Sequence, residues 1–111
     1  MQVDVSGGPV VRGTDLKGKL LFEIPLPDMN LSAIHSLRFA SGSAPHIAVV
    51  ATADRHTKRW RALIVAPDGK AIYDEVSDNW LNWLVARKAD GSAELFLIRP
   101  NLVERLRPRA Q

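Results

Sequence analysis

No cysteine occurs in the 111 residues, which excludes a disulfide scaffold, a thiolate metal site and a cysteine nucleophile, and leaves the redox compartment open. Long apolar runs are missing too. The longest, residues 47–51 and 62–66, are far too short to cross a bilayer as a helix. The first residues, Met1, Gln2, Val3 and Asp4, lack the basic and apolar regions of a signal peptide, so the expectation is a soluble chain of unassigned compartment. His35, His46 and His56 are the only histidines and none stands at metal-ligand spacing from another, so no metal is expected. The glycine-bearing stretches 7–8 and 41–43 lack the following lysine and helix of a phosphate cradle; turn chemistry accounts for them.

The charge balance is equally bare. The formal net charge is +3, yet residues 1–98 hold eleven Lys or Arg against eleven Asp or Glu. The excess lies in Arg99, Arg105, Arg107 and Arg109, opposed there by Glu104 alone, so the basic character belongs to a tail. A nucleic-acid face needs a wider footprint.

What is present is a core and an echo. The 46% hydrophobic content suits one soluble domain of ordinary size. Gly18-Lys19 followed by Leu20, Leu21, Phe22, Glu23 and Ile24 returns 51 residues later as Gly69-Lys70 followed by Ala71, Ile72, Tyr73, Asp74 and Glu75. Gly42-Ser43-Ala44 returns after 49 residues as Gly91-Ser92-Ala93. A period near fifty, in conserved order, points to an all-β repeat array.

The strands follow from period-two alternation. Residues 19–26 alternate Leu20, Phe22, Ile24 and Leu26 onto one face, and Pro25 and Pro27 end the run. A short strand over 10–12 precedes it. After a linker over 28–33 come strands over 34–40, 47–53, 60–66 and 71–77. The second of these is apolar on both faces and β-branched, as an interior strand covered from both sides should be. Pro67-Asp68-Gly69-Lys70 makes a tight turn. A second unit runs through 80–87, 94–99 and 102–107 and repeats the first three strands, without a fourth. The segment 79–88 also carries Trp80, Trp83, Leu84 and Arg87 at helical spacing; the repeat favours a strand there.

The fold expected is therefore all-β, with two four-stranded antiparallel repeats of about 50 residues, the first over 34–79 and the second, incomplete, over 80–111. With its Asp-Gly-Lys turn between Val65 and Asp74, the chain resembles β-propeller repeat proteins of the PQQ-like, WD40-like and FG-GAP-like kinds over residues 18–107. It lacks the Gly-His and Trp-Asp pair of WD40 repeats, the spaced aspartates of FG-GAP loops and a tryptophan-docking pattern, so the resemblance implies no cofactor. It implies a propeller-blade-like architecture of about two blades. Two blades cannot close a ring, since propellers have four to eight. The chain is then expected to be a scaffold or binding module that assembles with copies of itself or forms part of a longer propeller, with the strand over 18–26, inside the segment 1–33, available to complete the last blade.

The weak candidates for ligand or partner binding are Asp54, Arg55 and His56 at a polar tip, Trp60 beside them, and Trp80 and Trp83 at the start of the second unit. No catalytic residue stands out. The alternative function, a propeller-type hydrolase or lyase, would use Asp54, His56 and Asp78. Asp74 and Glu75, adjacent in a strand, should point to opposite faces and not act as a pair.

Overall fold

The computed structural model describes residues 2–4, 10–14, 17–26, 29–53 and 59–107, and among these every regular element is a strand. In order they are β1 (Gln2–Asp4), β2 (Val10–Thr14), β3 (Leu20–Pro25), β4 (Met29–Leu37), β5 (His46–Ala53), β6 (Trp60–Val65), β7 (Ala71–Ser77), β8 (Asn82–Arg87), β9 (Ala93–Arg99) and β10 (Leu102–Leu106). They form three antiparallel sheets: β1-β2-β3, β4-β5-β6-β7 and β8-β9-β10. Each sheet is a meander of consecutive strands. Among the described residues one sheet has four strands and two have three, so the expected pair of four-stranded units is met in the central sheet alone.

The segment beginning at Trp80 is a strand from Asn82 and not a helix. The expected linker over 28–33 is instead, from Met29 on, the first half of β4. Its alternation is hidden by Ser32: Leu31 pairs with Ala51 and Ala33 with Val50, so one extra residue bulges out and sends Leu31 and Ala33 to opposite faces. The strand over 18–26 pairs with β2 in the first sheet, and among the described residues β10 pairs with β9 alone.

The central sheet is buried on both faces, as the unbroken apolar run in β5 requires. Ala48, Val50, Ala62 and Ile64 pack against Trp83, Leu95 and Leu97 of the third sheet, with Leu37, Leu81 and Ala93 in the same cluster. On the opposite face Ile47, Val49, Ala51, Leu63 and Val65 enclose Leu26, joined by Ile24, Leu31 and Ile34. Each fully buried Val or Leu contributes about 1.5–3 kcal/mol relative to exposure, so these two layers dominate cohesion. The second and third sheets lie closest where β8 meets β4 and β5. There the Ala93 amide donates to the Arg38 carbonyl at 2.7 Å, and Arg87 donates to the Ser36 carbonyl at 3.1 Å.

The first echo is a real structural equivalence. Val10↔Pro25, Val11↔Ile24, Arg12↔Glu23, Gly13↔Phe22 and Thr14↔Leu20 are matched by Arg61↔Val76, Ala62↔Glu75, Leu63↔Asp74, Ile64↔Tyr73 and Val65↔Ala71, every partner shifted by 51 residues. Even the bulge is shared, with Leu21 and Ile72 as the extra residues. It breaks the alternation expected for residues 19–26, and Leu20 is exposed as a result. The second echo is weaker. Gly91 is the fourth residue of a turn closed by its own amide to the Lys88 carbonyl, whereas Gly42 is the third residue of a turn closed by Ser43 to Ala40. The true counterpart of the Gly91 turn is the one at Gly69: in both, an aspartate Oδ1, of Asp68 or Asp90, accepts from the amide two residues on.

Gly91 holds φ at +88°, and nothing lies within 4 Å of where a Cβ would be. Gly91→Ala should therefore act through backbone strain alone and lower stability by about 1–2 kcal/mol. Urea unfolding followed by tryptophan fluorescence reads this directly, and an unchanged midpoint would refute it.

Candidate functional site

Asp54, Arg55 and His56 lie outside the described residues. Of the remaining candidates, the structure joins two and separates the third. Trp60 opens β6 and Trp80 precedes β8; their rings meet edge to face with centroids 6.4 Å apart, and Trp80 stays 41% exposed. Beside them Arg59 and Asp78 form a loose ion pair at 4.0 Å, both well exposed, an arrangement that contributes little. Trp83 sits in the core, 3% exposed. Its indole N–H donates to the Val49 carbonyl at 2.9 Å and its ring meets Tyr73 edge to face at 6.0 Å. This tryptophan fastens the third sheet to the second. His35 is half-buried on β4, and Asp74 and Glu75 diverge as adjacent strand residues must, Asp74 taking two hydrogen bonds from Arg61 at 3.0 and 2.8 Å. Among the described residues no group of three His, Asp or Glu side chains could hold a metal ion.

Glu75 belongs to a network that sequence reading misses. The Tyr73 hydroxyl donates to Glu75 Oε1, while Arg99 donates to both Glu75 oxygens at 2.5 and 2.6 Å and, through Nε, to Glu104 at 2.7 Å. The four residues come from β7, β9 and β10, so the network bridges two sheets. Hydrogen bonds from Arg99 hold the Glu75 carboxyl below its usual range, and those same bonds push the Arg99 guanidinium up. Tyr73 is raised to about 12, first by burial and then by its bond to Glu75. Arg99 reads in the sequence as the start of a basic tail, and a contact 24 residues away in the chain leaves no spacing signal.

The third sheet also has a face turned away from the second. Leu84 pairs with Phe96, and Phe96 with Arg105; Ile98 pairs with both Asn82 and Val103. Directly paired residues share a face, so Leu84, Phe96, Ile98 and Val103 make one apolar patch, with Leu84 50% and Val103 57% exposed. Exposed large apolar clusters of this kind mark interaction surfaces. The comparable face of the first sheet carries the Arg12–Glu23 ion pair at 3.3 Å.

On its inner side the third sheet leaves a cleft of about 1160 Å³ against the β6–β7 hairpin, open to solvent, where Lys70, Asp68, His46 and Arg107 sit over Ile64, Ile72, Tyr73 and Leu106. His46 stacks edge to face on Phe39 at 4.9 Å, its Nδ1 is enclosed without a hydrogen-bond partner, and burial lowers its pKa against the opposing pull of Asp68. A smaller cleft of about 300 Å³ beside it is lined by Lys88, Glu94 and Arg105, with both cations directed at Glu94. Exposed apolar surface and open clefts are arrangements that bind. Comparison with protein-family models, with curated proteins and with solved structures finds no match.

Proposed function

We propose that this chain is a non-enzymatic scaffold or binding module of β-propeller-like construction, which continues its stack of sheets by associating with further copies of itself; the alternative source of the next sheet is the remainder of a longer propeller. The observation that carries this reading is the apolar patch of Leu84, Phe96, Ile98 and Val103. In the central sheet the face toward the next sheet is covered by Trp83, Leu95 and Leu97; in the third sheet Leu84 and Val103 on the same side are exposed. Consecutive antiparallel meanders stacked face to face support the propeller-like part of the proposal.

The test is solution mass by multi-angle light scattering. The chain of 12.3 kDa should run at two or more copies, and Leu84→Lys, at an exposed site, should return it to one copy with an unchanged circular dichroism spectrum. A monomer that melts cooperatively, or an assembly indifferent to Leu84→Lys, would remove the self-assembling form of the proposal.

A further inference from the structure

We propose that the free edge of β10 accepts an extended segment of another polypeptide as a fourth strand, with apolar or aromatic side chains filling the cleft and a carboxylate meeting Lys70 and Arg107, which line it. The site is an edge, and it does not depend on the face-to-face stacking proposed above.

The argument starts from what the edge lacks. Among the described residues β10 pairs with β9 on one side only, and the backbone groups on its other side are a template for strand addition. Of the other outer strands, β3, β4 and β7 each take part in a ladder interrupted by a bulge, a device that blunts edges, while β1 and β8 pair, as β10 does, without a register shift; β10 pairs over all five residues and contains no proline, and its end lines the cleft. In the central sheet the strand after the third is β7, reached through Gly69-Lys70. Among the described residues the third sheet has three strands, and the end of its last strand, at Leu106 and the following Arg107, lines the cleft.

The chemistry of the occupant follows from the walls. Ile64, Ile72, Tyr73 and Leu106 offer apolar contact on both sides, and a cleft of about 1160 Å³ has room for several side chains of one strand. Lys70 and Arg107 are among its lining residues and outnumber the single acid there, Asp68. A strand with apolar residues and an acid complements that lining, and both last strands of this chain's sheets have this composition: Phe22-Glu23-Ile24 in β3 and Tyr73-Asp74-Glu75 in β7. Strand addition of this kind takes its affinity from main-chain hydrogen bonds and its selectivity from side-chain pockets.

The probe is a synthetic peptide with the sequence of residues 69–77, blocked at both ends, titrated into the full chain while amide hydrogen exchange is followed by NMR. Saturating peptide should slow the outward-facing amides of β10 by about tenfold or more, as expected when edge groups become ladder groups. The same peptide N-methylated at alternate amides should not do so. Arg107→Glu should weaken binding by about tenfold through the lost attraction to the carboxylates, whereas Leu84→Lys, on the opposite face, should leave it unchanged. Protection that fails to appear on β10, that appears elsewhere, or that survives N-methylation would overturn the proposal.

Discussion

Trp83→Ala is expected to destabilise the protein by about 4 kcal/mol, the usual cost of removing a fully packed large aromatic from a core. The reason is position. Trp83 reaches across from β8 into the central sheet, and its ring lies among Ala48, Val50, Ala62 and Ile64, all small or β-branched side chains that cannot expand to refill the space. Deletion also leaves the Val49 carbonyl without the indole donor now 2.9 Å away. Total stabilities of small domains are about 5–15 kcal/mol, so the variant should sit near the edge of folding. Trp83→Phe separates the two contributions: it keeps much of the ring and loses the donor, and should cost about 1–2 kcal/mol. Equilibrium denaturation of both variants checks the ordering, and a Trp83→Ala variant within 1 kcal/mol of wild type, against the roughly 3–5 kcal/mol general range, would show that the third sheet is not held through this residue.

Arg99→Met should have the second largest effect, about 2 kcal/mol. It lies between the near-zero value of a surface pair and the 3–5 kcal/mol of a buried one, because the Arg99 and Glu75 side chains are 28% and 26% exposed. Removing the guanidinium strands a half-buried carboxylate, so the double variant Arg99→Met/Glu75→Leu should be less damaged than the single one. The pH dependence has a definite sign. Glu75 is held below its unfolded value, so its contribution is full above the ordinary glutamate range and is lost as pH falls through the lowered native value. Tyr73 is raised to about 12, so its contribution is full below its unfolded value near 10 and disappears as pH climbs toward 12. Tyr73 is the only tyrosine in the chain, and its ultraviolet absorbance therefore titrates this one site. Half-ionisation near 12 in the native protein, falling to about 10 in denaturant, is the expected pair of values; a native midpoint near 10 would place the phenol in water and dissolve the network.

Much of the fold was legible in local pattern. The two-faced apolar run over 47–51 implied a strand covered on both sides, and β5 is so covered. The shared Gly-Lys phrase implied equivalent hairpins, and their registers coincide residue for residue. What was lost was lost to bulges and distance. One extra residue at Ser32 turned the first half of β4 into an apparent linker, and another at Leu21 spoiled the alternation read from Leu20 to Leu26. The Gly-Ser-Ala phrase looked like a second equivalence but recurs in turns of different construction, since short turn sequences are shared by many geometries. At the candidate site Trp60 and Trp80 lie together, but the sequence made no distinction between an exposed Trp80 and a buried Trp83 three residues later. Trp83 lies in β8 on the face packed against the central sheet, whereas Trp80 precedes that strand, and where the strand begins is decided by tertiary packing. The bridge from Tyr73 through Glu75 to Arg99 and Glu104 joins strands of different sheets and has no local signature.

Among the described residues no backbone ladder runs from one sheet to the next. The second and third sheets touch through the amide of Ala93, at the start of β9, on the carbonyl of Arg38, just past β4, and on the β7–β10 side through the Arg99–Glu75 pair, with the cleft open to solvent. In the cluster between these two sheets the residues at positions 48, 62 and 93 are alanines, so the contact closes over three methyl groups, and a larger side chain at any of the three would push the sheets apart.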